Sequence, residues 1–98
     1  MKTLQEIRSI LRQNLPELSE RYNVTAIGVF GSIARGDQTA TSDVDILVDL
    51  RPPVGWEIVH LKLRLEELLG LEVDLVTRGA VMRKPLLWRS IEEDLVYA

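Results

Sequence analysis

Three short runs rich in β-branched and aliphatic residues constrain the fold most: VTAIGVF at 24–30, VDILVDL at 44–50 and EVDLVT at 72–77. Each reads as a β-strand. The segments between them differ in kind. Residues 31–43 are mostly small and polar and open on Gly31-Ser32. Residues 56–69 place Ile58, Val59, Leu61, Leu65, Leu68 and Leu69 at helical spacing. A loop connection allows strands one and two to pair antiparallel, and a helical connection suits a right-handed parallel crossover between strands two and three. The expected class is α/β (α+β): a small mixed β-sheet with packed helices.

The flanking segments complete the order helix, strand, turn, strand, helix, strand, helix. Leu4, Ile7, Leu11 and Leu15 recur every three or four residues, predicting a helix over 2–15. Pro16 is expected to end or kink it, with 16–22 adding a further turn or two. Ile33 to Asp37 suits a short helical turn, and GDQTATS reads as a polar loop. Pro52-Pro53 stops the second strand, because proline cannot donate to a ladder. Gly70 suits the position after a helix end. Leu87, Ile91 and Leu95 predict a last helix over 84–96. The 98 residues fit a single domain, 1–98.

Charge and composition narrow the function. The chain has 15 acidic and 12 basic side chains, a net charge of −3. That balance makes direct gripping of a nucleic-acid backbone a poor fit, since such binding needs a basic surplus on one face. With no cysteine there are no disulfides and no thiolate metal sites, and the single His60 gives little basis for a histidine zinc site. MKTLQEIRSILRQ has no apolar core of a signal peptide, and no apolar run approaches the ~20 residues that span a bilayer. The expectation is a soluble cytoplasmic domain without a membrane partner.

Chemistry concentrates at one end of the predicted sheet. Strand side chains alternate with a period of two, so Asp43 and Asp45 share a face at the start of strand two. An antiparallel first strand brings Gly31-Ser32 beside them. A parallel third strand brings Asp74 to the same end. Like charges about 4 Å apart repel by roughly 4 kcal/mol at an effective dielectric near 20. A divalent cation reverses that sign, and a donor set of hard oxygens favours Mg²⁺ or Mn²⁺. Glycine permits close backbone approach to a phosphate, and Ser32 adds a hydroxyl. The constellation reads as a site for a metal-bound nucleoside triphosphate. Taken singly, each part is also an ordinary structural feature: a solvated strand end, a turn, an edge residue. Arg35 fits a phosphate contact or a structural salt bridge equally. Asp49 shares the parity of Asp43 and Asp45 but lies at the far end of the strand and reads as solvated. His60 is expected to be a partly buried packing residue. Trp56 and Trp88 read as core or interface residues rather than base-stacking platforms. Arg78, Arg83, Lys84 and Arg89 form either a docking cluster or a solvated helix face.

These residues resemble a known family. Gly31-Ser32-x-Ala34-Arg35-Gly36, five further residues, Ser42-Asp43-x-Asp45 and a later strand containing Asp74-Leu75-Val76 are similar to the minimal nucleotidyltransferases of the DNA polymerase beta-like superfamily. The resemblance covers almost the whole chain. It implies Gly31 and Ser32 at the triphosphate, Asp43 and Asp45 on two metal ions, and Asp74 on the catalytic one. Proteins of this size in the family are often antitoxins paired with a helical HEPN-domain toxin. The implied activity is transfer of AMP from ATP to a tyrosine hydroxyl of that toxin, which silences its RNase activity. Two rivals stand beside it: an antitoxin that masks its partner by binding alone, and a small-molecule nucleotidyltransferase whose acceptor pocket forms in an oligomer. After strand three the chain is too short for an added acceptor-binding domain, so a partner protein is the economical source of the hydroxyl.

Overall fold

The computed structural model describes residues 2–39 and 43–98. Ser42 and part of the predicted GDQTATS loop lie outside the described residues. The chain runs α1 (Leu4–Tyr22), β1 (Val24–Phe30), α2 (Gly31–Arg35), β2 (Val44–Leu50), α3 (Glu57–Leu69), β3 (Val73–Thr77), α4 (Arg78–Met82), α5 (Pro85–Asp94) and β4 (Val96–Tyr97).

Helix α1 starts at a reciprocal cap. The Glu6 amide donates to Thr3 Oγ1 at 3.1 Å, and the Thr3 amide donates to Glu6 Oε1 at 3.0 Å. Pro16 does not end the helix, and the further turns expected over 16–22 carry it on to Tyr22. An internal proline costs about 3 kcal/mol. Buried Ile7 and Leu11 precede it, and Leu18 and Tyr22 follow it on the same face. Each buried side chain of this size contributes roughly 1.5–3 kcal/mol, so packing on both sides of Pro16 outweighs its local cost. Asn23 closes the helix in the left-handed region, at φ 62°.

The sheet is mixed, as expected, with strand order β3-β2-β1-β4. Strand β1 runs antiparallel to β2, with Phe30 opposite Asp45, and β2 runs parallel to β3, with Asp45 beside Asp74. One face is covered by α1 and α3. There Val44, Ile46, Val48 and Leu50 pack with Ile7, Leu11, Leu61 and Leu65. Arg64 of α3 clasps α1 through Glu17, with Nε to Oε2 at 2.9 Å and Nη2 to Oε1 at 3.0 Å.

The other face carries a smaller cluster that the sequence reading did not separate. Leu47 packs there with Val81 of α4 and Ile91 of α5, joined by Phe30, Val76, Trp88 and Leu95. The predicted helix over 84–96 is corrected to α5, ending at Asp94, followed by β4. Its predicted start is close: Pro85 occupies the first turn, where the missing N–H costs nothing. Helix α4 is a separate turn whose Thr77 hydroxyl accepts from the Ala80 amide at 3.3 Å. Strand β4 adds antiparallel to β1, with Tyr97 opposite Gly28. A Cβ on Gly28 would stand 2.8 Å from Leu95 Cδ1 and 3.1 Å from the Val96 carbonyl oxygen. Glycine at this position therefore lets the chain end close onto the sheet.

Candidate active site

Asp45 lies at the centre of the candidate site because it has a strand on each side. Its register partners are Phe30 of β1 and Asp74 of β3. Asp43 precedes it by two positions, shares its side of the strand and is exposed, as is Asp74. The chain leaves β1 at Phe30 and turns at once into α2, so Gly31 lands against Asp45. Gly31 has φ 75°, and a Cβ there would stand 2.1 Å from Asp45 Oδ2 and 3.0 Å from its Cγ. The carboxylate occupies the space that a side chain at residue 31 would need. Ser32 follows in the first turn of α2, and no described group hydrogen-bonds its hydroxyl.

Asp45 thus lies in register with Asp74 and two positions after Asp43, beside the Gly-Ser turn. Partial burial is the largest cause that raises the Asp45 pKa above the ordinary aspartate value. The charges of Asp74 and then Asp43 add to it, followed by a hydrogen bond with Asp74. Arg35 opposes the shift but does not cancel it. Among the described residues no group of three or more Asp, Glu, His or Cys side chains is arranged to hold a metal ion. The donors here are hard carboxylate oxygens with no thiol or imidazole among them, a chemistry that fits a cation such as Mg²⁺, which completes its shell from water and substrate phosphates.

The raised pKa has a consequence for pH. Between about pH 3.9, the ordinary aspartate value, and the raised folded value, the folded state holds more protons at Asp45 than the unfolded state. The contribution of Asp45 to stability therefore falls as pH rises through that window and stays unfavourable above it. In EDTA, Asp45→Asn is expected to melt higher than the parent at neutral pH, with the gap closing as pH falls towards the ordinary aspartate range. A gap independent of pH would contradict this cause.

The other predicted residues fall into two groups. Arg35 makes the structural contacts: Nη1 donates to Asp94 Oδ2 at 2.7 Å and Nε to Asp37 Oδ2 at 3.2 Å. It ties α2 to α5, and its charge still reaches Asp45. Asp94 was missed by sequence reasoning, since nothing local marks a partner 59 positions away. Asp49 is partly exposed and stands 4.0 Å from Arg78 Nη1. The Arg78 guanidinium also lies 5.6 Å from the Trp88 ring centroid. The basic cluster is therefore split: Arg78 is engaged with Asp49 and Trp88, while Arg83 and Lys84 line a groove beside β3. His60 is exposed rather than partly buried; it lines a surface hollow shared with Arg21 and Tyr22 of α1. Trp88 joins the smaller core cluster, whereas Trp56 is 80% exposed and is not a core residue.

The glycine-led turn and the aspartates thus lie together at one end of a mixed sheet. The chain belongs to the family described as the nucleotidyltransferase domain, whose model matches residues 5–98. It is 45% identical over 98 residues to protein adenylyltransferase MntA of Thermococcus cleftensis, covering 99% of this chain and 97% of that one. It is 47% identical over 98 residues to a Methanocaldococcus jannaschii protein provisionally named a protein adenylyltransferase, covering 99% of both. A solved structure provisionally described as a minimal nucleotidyltransferase superposes with a TM-score of 0.78 at 31% identity, covering 97% of this chain and 95% of that one. A toxin–antitoxin crystal structure with AMP-PNP superposes with a TM-score of 0.65 at 25% identity, covering 98% and 72%. The chain is thus an enzyme that takes a nucleotide substrate. No helix among the described residues is long and apolar enough to cross a membrane.

Proposed function

We propose that this chain, as one minimal domain over residues 1–98, transfers AMP from ATP to a tyrosine hydroxyl of a partner HEPN-domain RNase toxin and so neutralises it. The observation that carries the reading is the register of Asp45 beside Asp74, with Gly31 packed against the Asp45 carboxylate. A masking antitoxin has no need of such a costly cluster. The adenylyltransferase names of the archaeal relatives, and the toxin–antitoxin complex with AMP-PNP, support the same reading.

In the proposed reaction the tyrosyl oxygen bonds to the α-phosphorus of ATP. The bond from that phosphorus to the oxygen bridging to the β-phosphate breaks, and pyrophosphate leaves. Asp74, which is exposed, would take the proton from the attacking hydroxyl. Gly31 leaves room for the triphosphate to approach the backbone, and the Ser32 hydroxyl is free to donate to it. Arg35 adds positive potential from its place between Asp37 and Asp94. Asp43, Asp45 and Asp74 would hold one Mg²⁺, and Asp43 and Asp45 a second; Mn²⁺ fits the same donors, and such ions supply charge neutralisation and a more acidic hydroxyl. With ATP as donor, the reaction belongs in the cytoplasm.

The test is intact-mass spectrometry of the toxin encoded beside this chain, mixed with it and Mg-ATP. The expected result is a mass gain of AMP on a toxin tyrosine, absent in EDTA. A stable complex with unmodified toxin would sink the enzymatic reading in favour of masking. AMP appearing only on a small molecule would sink the protein acceptor.

A further inference from the structure

Strand β3 ends the sheet, so one of its edges has no partner strand among the described residues. The hydrogen bonds show which groups face outward. The Val44 amide donates to the Glu72 carbonyl, so the alternate groups at Val73, Leu75 and Thr77 point away from β2. The outward Val73 amide is already taken by Glu66 Oε2 at 3.0 Å. The Leu75 amide and carbonyl have no backbone partner among the described residues. This stretch of edge is a template for an added strand.

A furrow runs beside it. One hollow of about 540 Å³ is lined by Leu75, Thr77, Val81 and Leu87 together with Arg83 and Lys84. A second of about 390 Å³ is lined by Val59 and Lys62. The two share Ile58 and Leu75. No carboxylate lines either hollow, although the chain as a whole is acidic. Lys62, Arg83 and Lys84 make no ion pair among the described residues. The apolar floor, the unpaired cations and the open backbone together specify one kind of occupant.

We infer that the β3 edge docks an extended segment of the partner protein, with apolar residues alternating with carboxylates, added to the sheet as a fifth strand. The carboxylates meet Lys62, Arg83 and Lys84, and the backbone pairs with Leu75. Asp74 is the neighbour of Leu75 on this strand and lies on the Asp45 side of the sheet. A segment bound here therefore reaches the carboxylate cluster, and under the adenylyl-transfer reading it delivers the acceptor hydroxyl. A second copy paired through the same edge would carry Asp74 of both copies into the seam and close the site.

The test uses the full chain and short synthetic peptides that alternate Val with Glu and carry one Tyr, with Lys-for-Glu counterparts. Binding is followed by calorimetry and by amide exchange at Leu75. The expected results are protection of the Leu75 amide and at least about tenfold tighter binding of the Glu peptide than of the Lys peptide. The double variant Arg83→Glu, Lys84→Glu should reverse that order. Its affinity for Mg-ATP should match the parent's, which reports that it is folded. Equal binding of both peptides, an unprotected Leu75 amide, or a concentration-dependent dimer that protects the same amide would overturn the docking inference. Failure of the unaltered chain to bind Mg-ATP would overturn the adenylyl-transfer reading instead, leaving the peptide result to stand alone.

Discussion

Asp45→Asn is expected to lower AMP transfer by about 10³-fold or more, while the chain without metal stays as stable as the parent or becomes more so. Removing one well-placed electrostatic partner of a reacting phosphoryl group typically costs 10²–10³-fold. Here the residue is also a shared ligand under the proposed reading. The stability side follows from geometry. Asp45 sits in register with Asp74, two positions from Asp43, and its charge is opposed by burial and by both neighbours. The asparagine keeps the shape and removes the repulsion. Asp43→Asn should give a similar loss of transfer. Circular-dichroism melts in EDTA and the intact-mass assay with Mg-ATP check the two halves. A marked drop in melting temperature without metal would show that Asp45 holds the fold together, and the carboxylate cluster would lose its reading as a site held in strain for a cation.

The second large effect is expected at Gly31. Alanine there meets two separate costs. A side chain in a positive-φ conformation costs about 1–3 kcal/mol, and φ is 75°. The new methyl would also stand 2.1 Å from Asp45 Oδ2 and 3.0 Å from Cγ, so the carboxylate must leave its place. Gly36 separates the costs. It has φ 81°, and a Cβ there would meet nothing within 4 Å. Gly36→Ala should therefore lower stability by about 1–3 kcal/mol from backbone strain alone, Gly31→Ala by at least as much because the carboxylate must also move, and chemical denaturation reads this. Only Gly31→Ala should lose transfer to the extent that Asp45→Asn does. If Gly36→Ala is equally inactive, backbone strain in α2 explains both, and the packing of Gly31 on Asp45 is not what the site depends on.

Much of the site was legible because it depends on local rules. Alternation in DVDILVDL puts Asp43 and Asp45 on one side whatever surrounds them. The helical segment between strands two and three predicts a parallel pair, and a parallel pair brings Asp74 level with Asp45. Strand bounds 24–30 and 44–50 match β1 and β2 because runs rich in β-branched and aliphatic residues stop at Gly31 and shortly before Pro52. The misreadings share one cause. Pro16 was weighed by its local cost, and packing on both sides overrode it. Val96–Tyr97 is too short to show a period, and the last helix was drawn through it. The apolar neighbours of His60 do not say how much of that side of α3 is covered.

The sequence by itself determined the first three strands and the helices before and between them, the shared face of Asp43 and Asp45, and the presence of a glycine where the first strand ends. These follow from backbone sterics and side-chain periodicity, which act over a few residues. Only the tertiary structure decided that Arg35 is held by Asp94, that Gly31 packs on the Asp45 carboxylate, and that β4 closes one side of the sheet while β3 stays open on the other. Each of those joins residues distant in the chain. Their meeting is set by how the helices bury both faces of one sheet, and no local propensity records it.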